Sequence, residues 1–183
     1  MKTLSTSAMI AFASLLCIQL HAGSTNRPSP EKPMKAPAKK EMVRRNCLEV
    51  NSSVSIFGKR MKDVTILLYK GDKLINTISA SKKEVNSFVL QEDAQYTLRF
   101  TKPGCADRMI CINTILPEGV DLKPLFEFDF DLDMIPEQEA AKNPAIDFPA
   151  GIIYFDEYTE KFERSDDYAS SLKNLNKESL ANH

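Results

Sequence analysis

Phe126-Glu127-Phe128-Asp129-Phe130-Asp131-Leu132-Asp133-Met134 is the most regular alternation in the chain. Side chains on a β-strand point to opposite faces in turn, so a strict apolar/polar repeat reads as a strand buried on one side. Phe126, Phe128, Phe130, Leu132 and Met134 make the core face. Glu127, Asp129, Asp131 and Asp133 make the other, with carboxylates spaced about 7 Å apart along the strand.

The same period of two runs upstream. Leu48, Val50, Val54 and Ile56 share one parity, and Val64, Ile66 and Leu68 share the next. Lys70-Gly71-Asp72-Lys73 reads as a turn, after which Leu74 and Ile78 resume the pattern. Phe88 and Leu90 lead into a polar turn at Gln91 to Gln95, and Tyr96, Leu98 and Phe100 follow. Lys102-Pro103-Gly104 breaks the chain before a further strand at Met109 to Ile115. Six or seven short strands between turn signals predict an all-β, antiparallel β-sandwich over residues 47–136. Such a sheet buries one face and wets the other.

Downstream the pattern thins. A polar link follows Pro136, then a short apolar strand at Ile152, Ile153, Tyr154 and Phe155. Ser165 is placed to cap a short, lightly packed helix, with Asp166 and Asp167 in its first turn and Tyr168, Leu172 and Leu175 on one face. Residues 137–183 therefore read as a polar link and a strand–helix appendage.

Upstream of the sandwich, residues 23–46 hold four prolines and seven Lys or Arg against two Glu, a net charge of +5. With almost no large apolar side chains this stretch cannot build a core, and it reads as a disordered basic linker. It suits weak contact with an anionic surface. Residues 1–22 read as a signal peptide. Lys2 precedes a 13-residue apolar run, Ala8 to Leu20. As a helix that run spans about 20 Å, short of the ~30 Å hydrocarbon core. Ala22 is a suitable residue before the cut. Cys17 lies in the run, but Leu16 occupies the position where a lipidation signal carries a small residue, so an unlipidated exported protein is the expectation.

Composition narrows the function. The 183 residues carry a net charge of −1, which gives no reason to expect nucleic acid as a partner. His21 lies in the leader and His183 is the last residue, so the body of the chain lacks the imidazole of a Ser-His-Asp triad, a Cys-His dyad or an ordinary His zinc site. The charge is unevenly spread: residues 120–183 hold fifteen acidic against six basic side chains, a net of −9.

The stretch Gly58-Lys59-Arg60-Met61-Lys62-Asp63-Val64-Thr65-Ile66-Leu67-Leu68-Tyr69 resembles the carboxypeptidase-regulatory-like, transthyretin-like (immunoglobulin-like) β-sandwich. Arg60 stands where that family usually has Pro, and Asp63 where it has Gly or Asn. Tyr96 to Gly104 resembles the family's strand running into a Lys-Pro-Gly turn, and Ile110 to Thr114 the strand after it. Phe126 to Phe128, Pro149 to Tyr154 and Asp166-Asp167-Tyr168 resemble secreted envelope proteins of Bacteroidetes-type bacteria built on this domain. The resemblance implies a non-catalytic structural or protein-interaction module of the cell envelope, with an envelope protein as partner and no cofactor. No catalytic residue carries over, and a fold alone does not fix a function.

Four constellations bear on what such a module binds. Glu127, Asp129, Asp131 and Asp133 form a candidate strip for a basic partner. Calcium binding, an alternative, needs six to eight oxygens converging at 2.3–2.6 Å, which spacing along a straight strand opposes. Cross-strand Lys or Arg would relieve the repulsion between the four carboxylates. Tyr154, Phe155, Tyr158 and Phe162 offer either a sugar-binding platform or a strand packed on the sandwich, and Asp156, Glu157, Glu160 and Glu163 are the acids from which a glycosidase-like pair would be drawn. Cys47, Cys105 and Cys111 remain after leader removal, and an oxidising compartment favours a disulfide of Cys47 with Cys105 or Cys111. Cys105 and Cys111 pair with each other only if the chain turns at Ala106-Asp107-Arg108, because six residues of strand span about 20 Å. Asn51-Ser52-Ser53 matches a glycosylation sequon, which the resemblance to bacterial envelope proteins implies is without meaning.

Overall fold

A computed structural model of the chain describes residues 44–80 and 85–181, with side chains up to residue 178. The expected leader over 1–22, with Cys17, and the basic linker up to residue 43 lie outside the described residues. The strands are β1 (Asn46–Ile56), β2 (Lys59–Arg60), β3 (Thr65–Lys70), β4 (Lys73–Ser79), β5 (Asn86–Gln91), β6 (Gln95–Thr101), β7 (Cys105–Ala106), β8 (Arg108–Asn113), β9 (Phe126–Asp133), β10 (Ile135–Pro136), β11 (Gly151–Asp156) and β12 (Lys161–Arg164). Two helices, α1 (Glu137–Ala140) and α2 (Asp166–Ala181), complete the described elements.

The fold is an all-β sandwich followed by a C-terminal helix. One sheet holds β2 and β5 along one side of β1 and β9 along the other. The second runs β12-β11-β8-β6-β3-β4. A small ribbon joins β7 to β10. The alternation places the core where the parity predicts: Leu48, Val50 and Val54 from β1, Ile66 and Leu68 from β3, Phe88 and Leu90 from β5, Tyr96, Leu98 and Phe100 from β6, and Ile110 and Ile112 from β8 are buried in one cluster. Rings meet across the sandwich. Phe130 of β9 meets Phe100 of β6 edge-on at 6.2 Å, and Phe126 of β9 meets Phe155 and Phe162 of β11 and β12 at 5.4 and 5.6 Å.

Two features depart from the sequence reading. The sandwich is not purely antiparallel: β9 runs parallel to β1, and β11 parallel to β8. Nor does it close at Pro136. The strand expected as an appendage pairs Gly151, Ile152 and Ile153 with Ile110, Cys111 and Ile112, and β12 pairs with it in turn, so the sheet continues to Arg164. Burial is the reason. Ile153 and Phe162 are large apolar side chains that join the core cluster together with Ala150, and each is about as buried as the core of the central strands. The helix starts where expected, with Ser165 Oγ accepting from the Tyr168 amide at 3.3 Å. It is 16 residues long, with Tyr168, Leu172 and Leu175 half-buried, and the Tyr168 hydroxyl ties it to the sheet by donating to Pro149 O at 2.8 Å.

Candidate interaction surface on the acidic strand

β9 meets β1 in an unbroken parallel register that sets Glu49 beside Glu127, Asn51 beside Asp129, Ser53 beside Asp131 and Ser55 beside Asp133. From Leu48 to Ser55 the odd-numbered residues of β1 are the polar face of a strand whose even-numbered residues are core. Two polar faces thus lie side by side on the outside of the sheet. Asn51 Nδ2 donates to Asp129 Oδ1 at 2.9 Å, Ser53 Oγ to Asp131 Oδ1, and Ser55 Oγ to Asp133 Oδ1. Glu49 turns away from Glu127 and accepts from Ser87 Oγ at 2.7 Å.

The relief of repulsion is therefore different from the one expected. Neutral amide and hydroxyl donors, rather than Lys or Arg, stand next to the three aspartates, and among the described residues none of the four carboxylates is in an ion pair. The donors fix one oxygen of each aspartate without cancelling its charge. The row stays anionic and its geometry is held in advance. All four acids are exposed. Arg60 of β2 lies across a groove of about 430 Å³ that is lined also by Asn51, Ser53, Val85, Asp129 and Asp131.

β9 is an edge strand, since β1 is its sole strand partner among the described residues. The Met134 amide donates to Ser55 O at 2.8 Å, which fixes the direction of the main chain. Backbone groups alternate along a strand as side chains do, so the even residues of β9 face β1. The N–H and C=O of Glu127, Asp129, Asp131 and Asp133 face the open side. The residues that carry the charge also carry the outward main-chain donors and acceptors.

The other constellations separate. No group of three acidic, Cys or His side chains is placed to hold a metal ion among the described residues. The four aromatics do not form a flat platform: Phe155 and Phe162 pack inward, edge to face at 5.5 Å, whereas Tyr158 is 99% exposed at the hairpin tip. Asp156 is a turn residue, its Oδ1 accepting from the amides of Tyr158 and Thr159 at 2.8 and 3.0 Å. Asn51 of the sequon lies within β1, bonded to Asp129.

The expected disulfide is absent. Cys47, Cys105 and Cys111 are all free thiols, on three different elements. Cys47 is wholly buried at the start of β1 beside Thr114, and burial, reinforced by Glu92 and Asp93, pushes its thiol up to about 12. Cys111 lies on the outward parity of β8, near Tyr168 of α2, and Cys105 pairs with Pro136 in the short ribbon. Only Asp107 separates the strands that carry Cys105 and Cys111, and no turn is formed there.

Sequence reasoning located the four carboxylates but not their hydrogen-bonding partners. The signal for those was present in the polar parity of Glu49, Asn51, Ser53 and Ser55; which strand they would face was not. No protein-family model matches the chain, and no curated protein matches it.

Proposed function

We propose that the protein is a non-catalytic, secreted cell-envelope module that works by protein–protein contact, on a β-sandwich of the carboxypeptidase-regulatory-like, transthyretin-like kind. The observation that carries this reading is the acidic edge of β9. Asp129, Asp131 and Asp133 are held in fixed orientation by Asn51, Ser53 and Ser55, stay exposed and anionic, and stand on the open side of a sheet. A basic, extended segment of an envelope protein is the complementary partner: its main chain meets the outward backbone groups, and its Lys or Arg side chains fall opposite the carboxylates. The basic stretch over 23–46 supplies a tether with weak affinity for anionic surfaces.

The test is capture of envelope proteins on the purified protein at low and high salt, beside an Asp129→Asn/Asp131→Asn variant. The reading expects a defined partner whose retention falls with salt and falls in the variant, because exposed charges are screened beyond ~8–10 Å at moderate ionic strength. A partner retained equally by both proteins at all salt concentrations refutes the strip as the contact. Intact mass of the native protein tests export without lipidation: the reading expects Gly23 as first residue, and a diacylglyceryl mass on Cys17 refutes it.

A further inference from the structure

A second surface has a different chemistry. Between the loop after β8 and the β11–β12 hairpin lies a groove of about 540 Å³, within the range of small-ligand pockets. Phe126 and Phe155 form its floor, and Glu118, Asp121, Glu157 and Glu160 stand around it. The floor is rigid because Phe126, Phe155 and Phe162 brace one another edge to face at 5.4–5.6 Å. The rim comes from two separate loops. No Lys or Arg lines the groove, and among the described residues none of its four carboxylates is in an ion pair. Asp121 is tied down, its Oδ1 accepting from the Lys123 amide at 3.0 Å. Glu118, Glu157 and Glu160 are exposed.

We infer that this groove binds an alkylammonium group, primary or methylated. Three physical points select that class. A cavity with an aromatic floor and anionic walls favours a cation that is also apolar, because the ring faces attract positive charge and the methylenes replace water on the rings. A hard divalent metal does not suit it: the carboxylates ring the groove instead of converging, and no metal-holding group of three exists among the described residues. An anion is repelled by four negative groups at the rim, and a neutral sugar, which can donate hydroxyls to them, gains no charge attraction from them. The ammonium arrives either on a free amine or on the lysine side chain of a partner. The inference goes beyond the proposed function and uses none of the carboxylates of the β9 strip.

The experiment titrates the full-length protein, at constant ionic strength, with choline, its neutral isostere 3,3-dimethylbutanol, spermidine and a blocked lysine amide, read by backbone amide NMR shifts. Saturable shifts confined to the Pro117–Asp121 loop and the β11–β12 hairpin are expected for the three cations and not for the isostere. A Glu157→Gln/Glu160→Gln variant, altered only at exposed positions, should bind at least about tenfold more weakly. Phe155→Leu keeps the floor apolar but removes the ring, and should weaken choline more than any residual binding of the isostere; its melting temperature checks that it folds. Tighter binding of the lysine amide than of spermidine assigns the site to a partner's lysine, and the reverse to a soluble amine. Equal binding of choline and its isostere, affinity unchanged in the double variant, or no shift at tens of millimolar overturns the inference.

Discussion

Replacing Ile153 by Ala should destabilise the protein by about 3 kcal/mol, as expected when a large aliphatic side chain is cut back in a packed core. Ile153 is 1% exposed and stands in β11 between Ile112 of β8 and Arg164 of β12. Its side chain points into the same cluster as Leu98, Phe100 and Ile110, and this burial makes the C-terminal strands part of the sandwich. The control is Val89→Ala on the outer face of β5, where the side chain is 48% exposed and the cost should stay near about 0.5 kcal/mol. Urea unfolding of the full-length chain, followed by far-ultraviolet circular dichroism, reads both. With a slope of about 1–3 kcal/mol per molar urea for a small protein, the Ile153 variant should lose about 1–3 M in its midpoint at an unchanged slope. The melting temperature should drop by about 6–12 °C. If the two variants unfold within about 0.5 kcal/mol of each other, β11 contributes no packing and the sandwich ends before it.

Asp129→Asn with Asp131→Asn should stabilise the fold by a few tenths of a kcal/mol at low salt and by nothing at high salt, measured by thermal melts across a salt series; the amide keeps an acceptor for Asn51 and Ser53 while removing repulsion. Arg45 holds the Glu92 carboxyl below the usual carboxylate range through a 2.7 Å ion pair. A lowered folded-state pKa gives stability that is fully present above the ordinary carboxylate value and is lost as pH falls from there through the lowered one, so the cost of Glu92→Gln in urea unfolding should be largest at neutral pH and shrink as the solution is acidified. Native alkylation with iodoacetamide at pH 8 should label Cys105 and Cys111 and leave Cys47 unmodified until urea is added, as peptide mass mapping will show, because Cys47 is buried with a thiol near 12. Gly151→Ala should cost about 1–2 kcal/mol in chemical unfolding and less in an Arg164→Ala background, since the new Cβ would stand 2.8 Å from Arg164 Nε and displace a guanidinium that donates to Ala150 O.

The strands that were legible in the sequence are those with one wet face. In β1, β6 and β9 the alternation itself states which side chains are core, and the buried residues follow it. β12 was not legible because Lys161-Phe162-Glu163-Arg164 offers a single apolar side chain and no repeat. Parallel pairing was not legible either. Alternation gives the faces of a strand but neither its neighbour nor its direction, and the partners of β9 and β11 are fixed by packing across the sandwich. The same limit applies to the acidic row. The four carboxylates and their outward parity could be read locally, whereas the Asn51, Ser53 and Ser55 donors lie 78 residues away in sequence. The aromatic groove joins two loops that share no local pattern.

The parallel pairing of β1 with β9 also has a temporal side. β1 is the first strand of the sandwich to be synthesised, yet its partner along one whole side is Phe126–Asp133. At elongation rates of about 5–20 residues per second, that side of β1 stays unpartnered for several seconds after it emerges. β8 likewise waits for Gly151 before its sheet can extend. Neither sheet can be finished from its own N-terminal strands, so stable structure arrives late and all at once, when nearly the whole chain is available. Long sequence separation of this kind slows folding through the entropy of closing large loops. Until β9 arrives, that edge of β1 exposes the main-chain N–H and C=O groups that the parallel pairing later satisfies, the kind of open edge on which a nascent neighbour can pair.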